Sequence, residues 1–355
     1  MAIKKSVKIL LWILLGIFSV SIIYVSYVFL SYYRLEDNIK LEPLNNNSAI
    51  IETDKEYSVL IWNLGFGAYS DDYSFFMDGG KYSRAFSKDD TINNIESMAE
   101  SAYNEKTDFY MFQEVDVSST RSYYVDETSL LKNKFDDFAS VFAQNYDSPY
   151  LFYPFNSPHG KSKSGLMTFS SFKIESGVRR SLPIENSFSK LLDLDRCYSI
   201  IKIPVSDGKY LCLYNIHLSA YTTDPTTTNQ QIDILITDMQ YEYECGNYII
   251  CGGDFNKDLL GDSSEYFGVD GKDFSWAQPF PFAKIPNNFS LIDNAENNVP
   301  SCRNADRPYD ENNFVLVVDG YIISENIIEI DSKILDFKFQ YSDHNPVKLN
   351  FKLKA

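Results

Sequence analysis

Tyr248-Ile-Ile-Cys-Gly-Gly-Asp-Phe-Asn256 is the stretch on which the reading of this chain turns. Its apolar, β-branched first half predicts a buried strand, and two glycines end it. Asp254 and Asn256 follow at a spacing that points both side chains the same way off extended backbone. Glycines at a strand end let another group approach the backbone closely. A carboxylate in such a place holds a hard cation or orients water, and a carboxamide can grip a phosphoryl oxygen. The same four residues, Gly-Asp-Phe-Asn, also suit an Asx-turn closing a hairpin. What accompanies them elsewhere in the chain therefore matters.

The same ending recurs. Apolar runs stop at Asn63, at Glu114, at His217, at Asp254 with Asn256, and beside Asp343-His344. Strand ends on one rim of a sandwich converge in space, so distant positions can build one site. Two of the chain's three histidines fall in this set. A single strand-end histidine reads as a hydrogen-bonded structural residue, whereas two beside acidic strand ends point to a catalytic pair.

Around these stops the strands and helices follow. Ser58–Trp62, Phe109–Phe112, Leu151–Tyr153, Leu166–Phe169, Tyr198–Val205, Tyr210–Ile216, Val315–Ile323 and Val347–Leu353 read as strands. Asp89 and Asp90 can cap a helix in which Ile92, Ile95, Met98 and Ala102 recur at helical spacing. A second helix is expected over Leu130–Phe142, and a third from Asp224-Pro225 to Gly246. Many strands, few helices and no Pro/Gly/Ser-rich linker after Tyr57 predict one mixed domain over 57–355, a two-sheet sandwich flanked by helices.

Ahead of the domain, Ile9–Leu30 is uncharged and long enough to cross a bilayer as a helix. Lys4, Lys5 and Lys8 precede it, while Arg34, Glu36 and Asp37 follow. The positive-inside bias puts residues 1–8 in the cytoplasm and the rest outside, as a single-pass protein of the cell membrane. A cleaved signal peptide is the rival, but the run is long for one and no Ala-x-Ala-like site follows. The polar stretch 31–56, with three consecutive asparagines, reads as a tether.

A net charge of -17 gives no basic surface to track a nucleic-acid backbone, so nucleic acid is not the favoured partner. A local cation-bearing site still attracts a phosphate. Five cysteines without a Cys-x-x-Cys give no support for zinc, and Cys212 and Cys251 sit in apolar runs as small buried thiols. Nothing in the sequence marks an obligate protein partner.

Trp62-Asn63, Gln113-Glu114-Val115, Asn215-Ile-His-Leu218, Gly253-Asp-Phe-Asn256, Val318-Asp-Gly320 and Ser342-Asp-His-Asn-Pro346 occur in the order seen in the DNase I-like endonuclease/exonuclease/phosphatase superfamily. The resemblance spans Tyr57 to Leu353. It implies a four-layer α/β sandwich, two packed mixed β-sheets flanked by helices, and a Mg²⁺- or Mn²⁺-dependent hydrolase of phosphodiesters or phosphomonoesters. Carried over by position, Glu114 looks like the main metal ligand, with Asn63 beside it and Asp343 as a further metal-side carboxylate. Asp254 resembles the residue that orients or deprotonates water, and Asn256 the amide that holds phosphate. His344 looks like the phosphate-binding or base histidine, its tautomer fixed by Asp319. His217 matches the histidine at the leaving oxygen. Lys161, Lys163, Arg196 and Arg303 are weaker substrate-binding candidates.

The implied substrate is a phosphoester, and an anchored domain favours lipid headgroups or extracellular small phosphoesters. An extracellular nuclease and a non-catalytic binding module on the same scaffold are the alternatives. The module would leave the chemical positions broken, whereas every one is filled.

Overall fold

A computed structural model of the chain describes residues 5–185, 195–220, 225–271, 274, 276, 278–294 and 298–355. Helix α1 (Lys5–Ser31) leads into β1 (Ile39–Leu41), β2 (Glu56–Asn63), α2 (Lys88–Asn104), β3 (Phe109–Asp116), α3 (Glu127–Lys134), β4 (Ala139–Asp147) and β5 (Lys163–Ser170). Next come β6 (Ser176–Ser181), β7 (Cys197–Pro204), β8 (Tyr210–His217), α4 (Pro225–Glu244), β9 (Tyr248–Asp254), α5 (Ser263–Phe267) and β10 (Phe289–Ile292). The chain closes with β11 (Cys302–Arg303), β12 (Val315–Leu316), β13 (Asp319–Ser324), β14 (Ile327–Ile334) and β15 (Val347–Leu353).

The strands form a seven-stranded sheet in the order β1-β6-β7-β8-β9-β13-β10 and a six-stranded sheet in the order β14-β15-β2-β3-β5-β4, with β11-β12 as a separate ribbon. Both large sheets are mixed, since β8 runs parallel to β9 and β2 to β3 while their other neighbours are antiparallel. Period-two alternation explains why β2 and β3 are apolar throughout. Val59, Ile61, Phe109 and Met111 face the other sheet in the main core. Leu60, Trp62, Tyr110 and Phe112 turn outward onto Ile95, Met98, Ala99 and Ala102 of α2. On the far side, Ile232, Leu235 and Met239 of α4 close the main core. The result is the expected four-layer α/β sandwich.

A buried amide pair ties the two sheets together under the rim. Gln113 Nε2 donates to Asn215 Oδ1 at 2.7 Å, and Asn215 Nδ2 donates to Thr168 Oγ1 at 3.1 Å and to the carbonyls of Phe112 and Met167. Buried polar groups satisfied in this way fix the register of the layers that carry them.

Several local expectations are corrected. The helix expected over Leu130–Phe142 is α3, ending at Lys134, followed by the strand β4. Beyond Phe135 the sequence alternates Ala139, Val141 and Ala143 inward, a strand period that pairs with β5. Val315–Ile323 is two strands, because Val317 and Val318 bridge the β11-β12 ribbon and the main sheet. At Leu151–Tyr153 there is only a single bridge, from Leu151 to Gly160. Ser87, not Asp89 or Asp90, caps α2, accepting from the Asp90 N–H. The expected helix start at Asp224 lies outside the described residues.

The stretch 31–56 is not a free tether. Ile39–Leu41 is an edge strand paired with β6, and Leu44 and Ile51 bridge to Ser140 and Val205. The asparagines act as fasteners: Asn46 and Asn47 donate to the carbonyls of Ile174 and Ser171 at 2.8 and 2.7 Å. A polar run can dock through side-chain amides without any hydrophobic period. Ahead of it, α1 is long and apolar enough to cross a membrane.

Candidate active site

The site lies at one rim of the sandwich, where β2, β3, β8, β9 and β13 end together. It opens into a cavity of about 640 Å³ whose lining includes Glu114, His217, Asp254, Asn256, Asp343 and His344. The local backbone shows why these strands stop there. At Gly253 φ is +140°, and an added Cβ would lie 2.2 Å from the Ile216 carbonyl oxygen, so only glycine allows β8 this close. Between Phe112 and Val115 the pairing of β3 with β5 shifts, and Glu114 takes a left-handed conformation at φ +52°. This bulge aims the Glu114 carboxylate into the cavity. A non-glycine residue in that conformation is strained, and such strain gathers at functional positions.

Asp254 is the hub. Its Oδ1 accepts from the Asn256 backbone N–H at 2.8 Å, and its Oδ2 accepts from Asn63 Nδ2 at 3.0 Å. Nε2 of His217 and of His344 lie 3.5 and 3.9 Å from that same Oδ2. Burial raises the Asp254 carboxyl to about 7, with Asp319 adding to the rise and His344 opposing it. Asn63 also reaches Glu114 Oε1 at 3.4 Å, and its own Oδ1 accepts from Gly65 N–H at 3.0 Å.

The two histidines are held in opposite states. His344 Nδ1 donates to Asp319 Oδ2 at 2.7 Å, and Ser301 Oγ donates to the same oxygen at 2.8 Å. Burial alone would lower its pKa, but the Asp319 charge and the Cys302 thiol 3.6 Å from Nε2 outweigh that and raise it well above the usual range. His217, by contrast, is pushed well below its usual pKa by burial, then by Arg196 and His344. One imidazolium and one neutral imidazole thus flank a single carboxyl.

Glu114 and Asp343 face the same cavity. Burial pushes the Asp343 carboxyl up to about 6, and Glu114 adds to the shift by repulsion. Hard oxygen donors whose charges repel in a cavity are what a divalent cation offsets. The donors of Asp254, Asp319 and His344 also lie within 4.8 Å of one another, compact enough to hold a metal ion. In that group the His344–Asp319 hydrogen bond already occupies one ligand atom of each residue.

All eight expected catalytic and metal positions therefore meet at one rim. Asn256 differs from its expected use: its Nδ2 donates to the Leu218 carbonyl at 2.8 Å and to Asp254, bracing the β8 exit. Among the weaker candidates, Arg196 is buried beside the site and donates to the His217 carbonyl at 3.4 Å. Arg303 lines the cavity as well, and its guanidinium donates to the carbonyls of Ser70, Tyr73 and Arg307, pinning the aromatic loop after β2. Lys161, half exposed, pairs with Asp147 at 3.5 Å, and neither it nor Lys163 lines the cavity.

Sequence reasoning missed Arg121. Its guanidinium forks onto Asp116 at 2.8 and 3.1 Å, lies 3.8 Å over the Phe66 ring, and stands 3.9 Å from Glu114 Oε2. The signal for it was the Asp116–Arg121 spacing directly after Glu114, which has no regular period.

The fold is that of the endonuclease/exonuclease/phosphatase proteins. An endonuclease/exonuclease/phosphatase from Beutenbergia cavernae superposes with a TM-score of 0.56 at 15% identity, over 85% of this chain and 72% of that one. The human Nocturnin catalytic domain with bound sulfate gives 0.53 at 15% identity, over 88% and 98%. ANGEL2, a 2',3'-cyclic phosphatase in complex with adenosine-2',3'-vanadate, gives 0.53 at 14% identity, over 89% and 99%. No protein-family model matches the chain, and no curated protein matches it in sequence.

Proposed function

We propose that the chain is a divalent-cation-dependent phosphoesterase, anchored to the membrane by α1 with its amino terminus in the cytoplasm. One observation carries the reading. Glu114, Asp343, Asp254, His217 and His344, far apart in sequence, open onto one cavity at the rim of this fold. Lys4, Lys5 and Lys8 ahead of the apolar run, against Arg34 alone just after it, support the orientation.

Glu114 and Asp343, with the Asn63 amide steadying Glu114, would hold the cation, magnesium or manganese. When bound, it neutralises the non-bridging phosphoryl oxygens and activates water. Asp254, with its carboxyl near 7, sits at the operating pH of a general base and is placed to take the proton of the attacking water. His344, kept protonated by Asp319, offers Nε2–H to a phosphoryl oxygen. His217 stands opposite as a neutral imidazole, 3.9 Å from Glu114 Oε1, beside the position of the departing oxygen.

Hydrolysis of bis(p-nitrophenyl) phosphate by the purified full-length protein tests the reading. Turnover should need Mg²⁺ or Mn²⁺, stop with a chelator and return when metal is added back. Activity that ignores a chelator would sink the metal assignment. Release of acid-soluble nucleotides from DNA or RNA, with no turnover of small diesters, would favour a nuclease instead.

A further inference from the structure

We infer that the loop from Tyr150 to Phe155 is seated in the headgroup layer beside α1, so that the catalytic cavity opens onto the bilayer and takes its phosphoester from a membrane lipid. The substrate part rests on the phosphoesterase reading; the seating of the loop does not.

The loop is fastened to the anchor helix itself. Tyr24 donates from its hydroxyl to the Tyr150 carbonyl at 3.1 Å, and the Tyr150 N–H donates to the Tyr27 hydroxyl at 3.2 Å. The Tyr24 and Phe152 rings meet edge to face, 5.1 Å between centroids. Tyr24 is seven residues before the helix end at Ser31, roughly 10 Å along the axis at 1.5 Å per residue. A loop bonded to α1 at that level shares its depth.

That depth is set by the apolar run. A hydrocarbon core takes about 20 helical residues. Counted from Ile9, these reach Val28, which leaves Tyr24 and Tyr27 near the boundary where tyrosines concentrate. The loop's own side chains suit the boundary. Phe152, Tyr153 and Phe155 are 50%, 63% and 85% exposed, and Met77 across the cavity mouth is 58% exposed. Such a cluster of large apolar side chains beside a membrane-spanning candidate marks a lipid contact.

No slack separates helix from domain. Tyr33 donates to Asp147, Arg34 Nε pairs with Asp195 at 2.8 Å, and the Leu35 N–H donates to Asp195 at 2.7 Å. The domain therefore cannot swing away from the surface without breaking these bonds. The cavity that holds His217 and His344 is the same one that Tyr24, Phe152 and Phe155 line. A lipid headgroup would enter it with the acyl chains still in the bilayer.

Full-length protein in phospholipid vesicles, with Phe155→Trp, tests the seating. The emission added by that tryptophan over wild type should fall by about half with lipids brominated high on the acyl chain. Emission untouched by brominated lipid would overturn the seating, whatever the catalytic result. For the substrate, wild-type protein is offered phosphatidylcholine, phosphatidylethanolamine, phosphatidylglycerol and sphingomyelin in vesicles, and their water-soluble headgroup phosphoesters. At least one lipid should be turned over with a kcat/KM at least about tenfold above its soluble counterpart. Equal or better turnover of the soluble compounds would overturn the lipid assignment. No turnover of any phosphoester, bis(p-nitrophenyl) phosphate included, would instead remove the phosphoesterase reading and the lipid assignment with it.

Discussion

His344 and Asp319 form a buried dyad, with Nδ1–H donating to the carboxylate at 2.7 Å and Nε2 directed toward Asp254 Oδ2 at 3.9 Å. The antiparallel register of β9 with β13 sets Asp319 opposite Asp254, so one pair of neighbouring strands delivers both carboxylates. Trp62 Nε1 donates to the His344 carbonyl at 2.8 Å and Ser342 Oγ to that of Asn63 at 2.8 Å, locking the histidine loop onto β2. The dyad is thus placed by backbone, not by the loop's own preferences.

Removing either histidine should cost rate more than it costs folding. We expect His217→Ala and His344→Ala to lower kcat by roughly 10²–10⁴-fold, the range of general acid–base and hydrogen-bonding help. Both should keep a wild-type far-ultraviolet dichroism, with a lower melting midpoint for His344→Ala, which leaves the buried Asp319 carboxylate without its partner. Asp319→Asn should fall between wild type and His344→Ala, because the ring keeps a partner but loses the charge that holds it protonated. A His344→Ala protein with normal kcat would remove that residue from the chemistry.

Glu114 couples function to strain. Its left-handed backbone costs a β-strand glutamate about 1 kcal/mol, and its charge repels Asp343. Glu114→Asn, a residue that accepts this conformation more readily, should therefore stabilise the fold by up to about 1 kcal/mol while removing metal-dependent turnover. Denaturant midpoints measured without added divalent cation report the first effect. A less stable variant would contradict the account of strain.

Much of this site was legible because its members end strands. β8 and β15 were readable to within a residue, whereas β9 runs on through both glycines to Asp254, three residues past the expected stop; an apolar run followed by a charged or amide residue needs no partner to be noticed. The edge strands β1 and β14, and β6 beside β1, were not readable, since Lys40, Arg179, Arg180 and Asp331 break any apolar period on them. The docked stretch after α1 escaped for a related reason, being held by asparagine amides and bridges instead of a buried face. Arg121 belongs to the same class: its place depends on Asp116, Glu114 and the Phe66 ring meeting in space.

The two glycines of the opening stretch should differ from a loop glycine in what alanine costs. Gly253→Ala would press a methyl against the Ile216 carbonyl at 2.2 Å, and nothing in backbone can yield cheaply. We expect a loss of about 3 kcal/mol or more, at the severe end for single substitutions. Gly208, also at positive φ (+85°) but with nothing within 4 Å of an added Cβ, isolates the conformational part. Gly208→Ala should cost about 1–2 kcal/mol. Equal losses at both sites in urea unfolding would refute the close-approach argument.

His159, on the wall of the same cavity, supplies a pH dependence outside the proposed catalytic set. It is buried, donates from Nδ1 to the Ser83 carbonyl at 2.9 Å, and accepts at Nε2 from the Ser162 hydroxyl at 3.4 Å. Burial first, then the Arg121 charge with a smaller part from Arg84, lower its pKa to about 4 against the opposing Ser83 hydrogen bond and Asp116. The unfolded chain, with an ordinary imidazole near 6.5, then binds the proton that the folded chain refuses. Stability from this group is therefore unaffected above pH 6.5 and declines as pH falls from 6.5 toward 4, by at most roughly 3 kcal/mol. His159→Gln, which keeps an amide donor for Ser83 and cannot titrate, should flatten that acid limb. As pH falls through this window, the wild-type unfolding free energy should drop relative to that of the variant; parallel curves would show that His159 takes up its proton in the fold as readily as in the unfolded chain.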